Sequence, residues 1–137
     1  MISAERTVPH PPERVFEFLS DLRNHWRLER VFLDADDVGE HGGIIRLKAP
    51  LGLSRNVRTQ VLEAERPRRV AGRADLRGGT VGLVAWEIRP AAEGAHVTLS
   101  ARVPETSTPD RILLALGGRA WLRRLFERAL GNLEQTL

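Results

Sequence analysis

Residues 80–105, TVGLVAWEIRPAAEGAHVTLSARVPE, decide the fold. Side chains alternate between the two faces of a strand. In residues 95–105, Val97, Leu99, Ala101 and Val103 share one face, and Thr98, Ser100 and Arg102 share the other. In residues 80–90, Glu87 and Arg89 mark the outer face, which puts Gly82, Val84, Trp86 and Ile88 inward. The short AAEG segment between them predicts a hairpin turn. A sheet that is apolar on one face must bury that face against another element.

The same period extends upstream. Residues 54–65 (SRNVRTQVLEAE) and 68–77 (RRVAGRADLR) read as two further strands. Pro67 marks the hairpin between them, and Arg77, Gly78 and Gly79 mark the next. The inward set is Arg55, Val57, Thr59 and Val61 on the first, and Val70, Gly72, Ala74 and Leu76 on the second. Residues 30–38 and 44–53 add two strands, the latter broken around Pro50 and Gly52, and residues 2–8 add another. Pro11 or Pro12 opens a helix carrying Val15, Phe18, Leu19 and Leu22 on one stripe, widened by Phe16. Ser20 and Asp21 end it and cap a second short helix through Trp26.

Downstream of Pro109 the period becomes helical. Leu122, Leu125, Phe126, Ala129 and Leu133 form one face, with arginines and glutamates opposite. Gly117 and Gly118 interrupt its early part and predict a kink, or a short helix over 110–116 before the main one. The order is strand, two short helices, six strands, long helix. That is an α+β domain over residues 1–137, with about seven antiparallel strands curved around a C-terminal helix.

Composition narrows the chemistry. Of 137 residues, 42% are hydrophobic and 28% charged, as in a soluble globular domain. There is no cysteine, which excludes disulfides, thiolate metal sites and thiol nucleophiles. Lys48 is the only lysine, so the high isoelectric point reflects arginine rather than net charge, which is +3. The arginines are interleaved with acids, so no nucleic-acid partner is expected. The opening MISAERTVPHPPERVF lacks a signal-peptide pattern, and no apolar run spans a membrane; the expected location is the cytoplasm, without stable membrane insertion.

Three stretches carry a resemblance: ERTVPHPPERVFEFLSDLRNHWRL (5–28), VLEAERPRRVAGRA (61–74) and VAWEIRPAAEGAHVTLSARV (84–103). Together with the long final helix they resemble the START-like (SRPBCC) superfamily, the helix-grip fold of polyketide cyclases/dehydrases and Bet v1-like proteins. The resemblance covers essentially the whole chain. It implies an apolar ligand, such as a polyketide, lipid or isoprenoid-like compound, held between sheet and helix. It implies either a carrier or a polyketide cyclase/dehydrase, and less readily a co-chaperone-type interaction module. Fold alone does not choose among them.

The expected ligand wall is Trp26, Val57, Gly72, Ala74, Gly82, Val84, Trp86, Val97, Leu99, Trp121, Leu122 and Leu125. Gly72, Ala74 and Gly82 are small neighbours that leave room, unless Trp86 fills it. Arg55 either meets an anion or a ligand oxygen inside, or lies outside if the register is off by one. Arg55 and His25 are the candidate catalytic groups; either one buried at the cavity points to chemistry, and an all-apolar wall points to carriage. His10 and His41 are expected in solvated turns, and His96 outward or at the rim. Asp34, Asp36 and Asp37 read as a solvated acidic turn. No metal-ligand spacing, nucleophile motif or phosphate loop is present, so neither metal nor cofactor is expected. The chain also lacks tyrosine, a pocket hydroxyl the cyclases commonly use. A monomer or homodimer is expected.

Overall fold

In the computed structural model the described residues are 1–25, 27–28, 32–48, 54–76 and 78–137, with the backbone alone for 32–38, 47–48 and 54. Seven strands form one curved antiparallel sheet: β1 (Ile2–Val8), β2 (Phe32–Val38), β3 (Gly42–Lys48), β4 (Ser54–Glu65), β5 (Arg69–Leu76), β6 (Thr80–Ala91) and β7 (Gly94–Glu105). Their order across the sheet is β1-β7-β6-β5-β4-β3-β2. Consecutive strands pair except that β1 joins the far side of β7. Between β1 and β2 lie α1 (Pro12–Ser20) and α2 (Leu22–His25). After β7 come α3 (Thr108–Leu113), a π-helical turn (Leu114–Gly118) and α4 (Arg119–Thr136).

The alternation read from the sequence matches the observed faces. Val57 and Thr59 on β4, Val70 on β5, Trp86 and Ile88 on β6, and Val97, Leu99 and Ala101 on β7 are all buried. The period breaks at one place on β4. A bulge falls between Val61 and Glu63, opposite Gly72 and Ala71. Leu62 stays outward, as the alternation places it, 55% exposed, and the bulge shifts the phase beyond it, pairing Ala64 with Val70. The bulge also brings the β4 backbone close to β5: a Cβ on Gly72 would lie 2.8 Å from the Gln60 carbonyl oxygen. Glycine is required there by that approach as well as by the space inside.

In the first helix the buried stripe is Val15, Phe16 and Leu19, with Phe18 half-buried rather than central. Asp21 leaves the helical region and its Oδ1 accepts from the Arg23 backbone N–H at 3.0 Å, which separates α1 from α2. The break expected around Pro50 and Gly52 lies outside the described residues.

The C-terminal helix rests on one end of the sheet. Its main sheet contacts are with β1 and β7, while α1 lies against β5, β6 and β7. Leu130 and Leu133 are almost wholly buried there with Val8, Val15, Leu19, Ile88 and Val97. Each leucine so buried contributes roughly 1.5–3 kcal/mol. Polar ties fasten the same end. Arg6 donates to Glu134 at 2.9 Å through Nε, and Asn132 donates to the Leu28 carbonyl at 2.5 Å. His10, expected in a solvated turn, lies part-buried with Nε2 3.3 Å from the Glu134 carbonyl oxygen, because α4 returns over the proline loop. A second, smaller apolar cluster of Leu22, Ile45 and Val57 lies on the other half of the sheet.

Candidate functional site

Between these two clusters the inner face of the sheet is not filled. A cavity of about 740 Å³ lies there, within the range of ligand pockets. Strands β4, β5 and β6 supply Val57, Val61, Gly72, Ala74, Gly82 and Val84; β7 supplies Leu99 and Ala101; α4 supplies Trp121, Leu122, Leu125 and Phe126. Gly82 leaves room outright: a Cβ there would meet nothing nearer than Ala74, at 3.9 Å. Trp86 forms part of the wall and does not fill the space. Of the residues read as wall, Val97 alone among those described is absent from it. It is fully buried in the solid core beneath α1 and α4. Trp26 lies outside the described residues.

Both candidate polar groups border the cavity. Arg55 points inward, so the register reading that placed it outside is set aside. Its Nη1 lies 2.5 Å from Oδ1 of Asp110. Asp110 is the anion a buried guanidinium requires, and it comes from this chain. Asp110 also accepts a hydrogen bond from the Thr80 hydroxyl, and its backbone N–H donates to Ser107 Oγ at 3.4 Å. Ser107 is the N-cap of α3. Burial alone would raise the Asp110 pKa; the bonds from Arg55, Thr80 and Ser107 more than offset it and hold the carboxyl below its ordinary value. Asp110 was not among the residues read from the sequence. A signal existed in Ser107-x-x-Asp110, the spacing of a capping box.

His25 borders the cavity near Trp86, with ring centroids 5.7 Å apart at 68°, an edge-to-face contact. Its Nε2 lies 2.6 Å from the Leu19 carbonyl oxygen. A carbonyl only accepts, so Nε2 carries the proton and the neutral ring is unprotonated at Nδ1. Burial pushes the His25 pKa below the ordinary value, opposed by the Leu19 bond and the Asp21 charge. The ring is therefore neutral at neutral pH. Thr80, beside Asp110, and Trp86, beside His25, are six residues apart on β6, so the two polar groups border different ends of the cavity.

The remaining candidates are elsewhere. His96 is on the outer face, bonded to Thr7 Oγ1 at 2.9 Å and near Glu5. His41 is exposed. The side chains of Asp34, Asp36 and Asp37 lie outside the described ones. Among the described residues no three His, Cys, Asp or Glu side chains gather as a metal site. No described helix is long and apolar enough to cross a membrane.

The mouth of the cavity is covered by α3 and the π-helical turn, through Leu113, Leu114, Leu116 and Gly117. Gly117 has φ +119°, a left-handed conformation that favours glycine. Gly118 is needed for a different reason: a Cβ there would lie 2.8 Å from the Leu113 carbonyl oxygen.

No curated protein matches the chain in sequence. The fold recurs in solved structures. Protein TTHA0849 from Thermus thermophilus has a TM-score of 0.75 at 20% identity, with 98% of this chain and 94% of that chain covered. Protein DR_A0006 from Deinococcus radiodurans has a TM-score of 0.68 at 16% identity, with 98% and 94% covered. DynU16, a protein in the dynemicin biosynthetic locus, has a TM-score of 0.62 at 20% identity; the match covers 98% of this chain but 45% of that one. A family model described as polyketide cyclase/dehydrase and lipid transport matches residues 1–137, and with the seven-stranded sheet around α4 it shows that the chain belongs to that family.

Proposed function

We propose that the protein binds an apolar small molecule, such as a polyketide, lipid or isoprenoid-like compound, between the sheet and α4. One observation carries this reading: a cavity of about 740 Å³ with a mainly apolar wall. A volume of that size accommodates a drug-sized or larger ligand, and burying apolar surface in it supplies the driving force at about 25 cal/mol per Å². Arg55 and His25 both border the cavity, the position expected to point to chemistry, but the Arg55 charge is taken up by Asp110, so only His25 supports chemistry. Native mass spectrometry of protein purified from its own host, with organic extraction, tests the proposal. A co-purifying apolar compound supports it. An empty protein that shows no thermal shift across lipids and polyketides sinks it.

A second reading, polyketide cyclase/dehydrase chemistry, rests on His25. It is a neutral imidazole in the cavity wall with its tautomer set by Leu19. General acid–base work needs such a group within reach of the substrate. If that reading holds, His25→Gln abolishes turnover of a polyketide substrate while leaving its affinity intact; equal turnover rules it out. Both readings treat residues 1–137 as one domain acting in the cytoplasm, as a monomer or homodimer, without nucleic acid or cofactor. Outside residues 111–126 the acids and arginines are interleaved, which supports the absence of nucleic acid.

A further inference from the structure

Sixteen consecutive residues, 111–126 (RILLALGGRAWLRRLF), hold four arginines and no acid. That is a local charge of +4 in a chain whose net charge is +3. Arg111, Arg119, Arg123 and Arg124 are all exposed, and none has an ion-pair partner among the described residues. Elsewhere Arg6, Arg23, Arg66, Arg68, Arg69 and Arg73 each face an acid, while Arg89 and Arg102 on the outer face of the sheet, like these four, show no ion pair among the described residues. The same corner displays Leu116 at 79% exposure, Ile112 at 54% and Leu113 at 39%. These are three of the six large hydrophobic residues exposed among those described. Leu113 and Leu116 also border the cavity mouth.

An apolar tip among uncompensated cations calls for a partner with both anionic and hydrocarbon character. A second copy of this chain packed tip to tip is a poor fit, because a two-fold axis through the apolar tip sets each arginine cluster against its own image. An anionic bilayer supplies phosphates for the guanidinium groups and acyl chains for the leucines. We propose that the α3–α4 corner seats reversibly on an anionic membrane surface. Leu116, Ile112 and Leu113 enter the headgroup–acyl boundary, and Arg111, Arg119, Arg123 and Arg124 lie among the phosphates. No segment spans the bilayer. Where the ligand reading also holds, docking sets the cavity mouth against the lipid, so that an apolar ligand passes without crossing water. The docking itself does not depend on that reading.

Flotation of the full chain with phosphatidylserine-containing vesicles, against pure phosphatidylcholine vesicles, tests this. Binding is expected to the former only, and to weaken as salt screens the charges. Each arginine near such a surface is worth about fivefold in partitioning, so Arg119→Gln with Arg123→Gln lowers it about 25-fold. Leu116→Asp, at a site too exposed to disturb folding, also releases the protein. The same charge change on the sheet, Arg89→Gln with Arg102→Gln, leaves the partitioning nearly as it was. Absence of binding to phosphatidylserine vesicles overturns the proposal, as does equal binding to both compositions or equal loss in the two double variants. A dimer in solution that Leu116→Asp dissociates also overturns it and assigns the corner to self-association. Uptake of an apolar fluorescent probe without vesicles, compared between wild type and the arginine variants, separates failure of docking from failure of ligand binding.

Discussion

Arg55 on β4 and Asp110 on α3 face each other at 2.5 Å across the end of the cavity, and they fasten the cover to the sheet. The tie is local. Thr80 and Ser107 complete it, the hydroxyl of Thr80 lying 3.2 Å from Ser107 Oγ and accepting from the Ser107 backbone N–H at 3.1 Å. Beyond it the chain passes through Gly117 and Gly118 before α4 reaches its solid packing. The cover is thus held at one point and jointed at another.

Replacing Asp110 by Asn leaves the Arg55 charge uncompensated beside an apolar space. Removing one partner of a buried pair costs about 3–5 kcal/mol; with 22% of the Arg55 side chain still exposed, about 2–3 kcal/mol is expected. Urea denaturation measures it, and a double-mutant cycle with Arg55→Met recovers part of the loss. The pH dependence has a definite sign. The Asp110 carboxyl titrates below its ordinary 3.8 in the folded state, so its contribution is complete above that value and is lost as pH falls through the folded pKa. Below about pH 3.9 the gap between wild type and Asp110→Asn should therefore narrow.

His25 gives a second pH signature in a different window. Burial depresses its folded pKa below the ordinary 6.5. Its contribution is full above 6.5, declines as the unfolded chain takes up the proton, and levels off below the folded pKa. In His25→Gln, whose amide can still donate to the Leu19 carbonyl, this decline below about pH 6.5 disappears. Thermal melts across that range compare the two proteins; parallel curves would show that the ring titrates as freely as in water.

Two glycines on adjacent strands should answer alanine substitution in opposite ways. Gly72→Ala drives a methyl group into the Gln60 carbonyl at 2.8 Å and is expected to cost about 1–3 kcal/mol. Gly82→Ala meets only ordinary contact at 3.9 Å, so the loss of glycine's freedom in the unfolded chain makes it neutral or stabilising by up to about 1 kcal/mol. The added methyl group intrudes on the cavity and lowers affinity for a bulky ligand. Denaturation and ligand titration on the same pair decide both points.

Two leucines of α4 should likewise differ. Leu133→Ala opens a hole in the solid core and costs about 2–5 kcal/mol. Leu122 is half-buried and already borders empty space, so its truncation adds little new cavity and costs under about 1.5 kcal/mol. Equal losses at the two positions would mean that the cavity is closed in solution.

The alternation of apolar residues over 54–103 carried enough information to assign the sheet faces, but it left Arg55 open between two registers, and only its contact with Asp110 places it inward. A period states which face a residue takes and not what lies above it. That is why Val97 was read as ligand wall when α1 and α4 cover it. The bulge at Leu62 is invisible to a period count, so the stricter reason for Gly72 appears only with the paired strands in place. Asp110 is separated from Arg55 by 55 residues. Its local spacing from Ser107 is legible, yet its ionic partner depends on how α3 returns to the sheet. His10 is similar: a proline turn looks solvated until the last turn of α4 folds back against it.

The unequal filling of the two halves of the sheet has an evolutionary consequence. Residues around Leu130 and Leu133 determine whether the chain folds, whereas Gly82, Val84 and Leu122 shape a space that folding hardly senses. A lineage can exchange side chains around that space one at a time without first acquiring spare stability. Architecture and the shape of that space are then free to diverge at different rates.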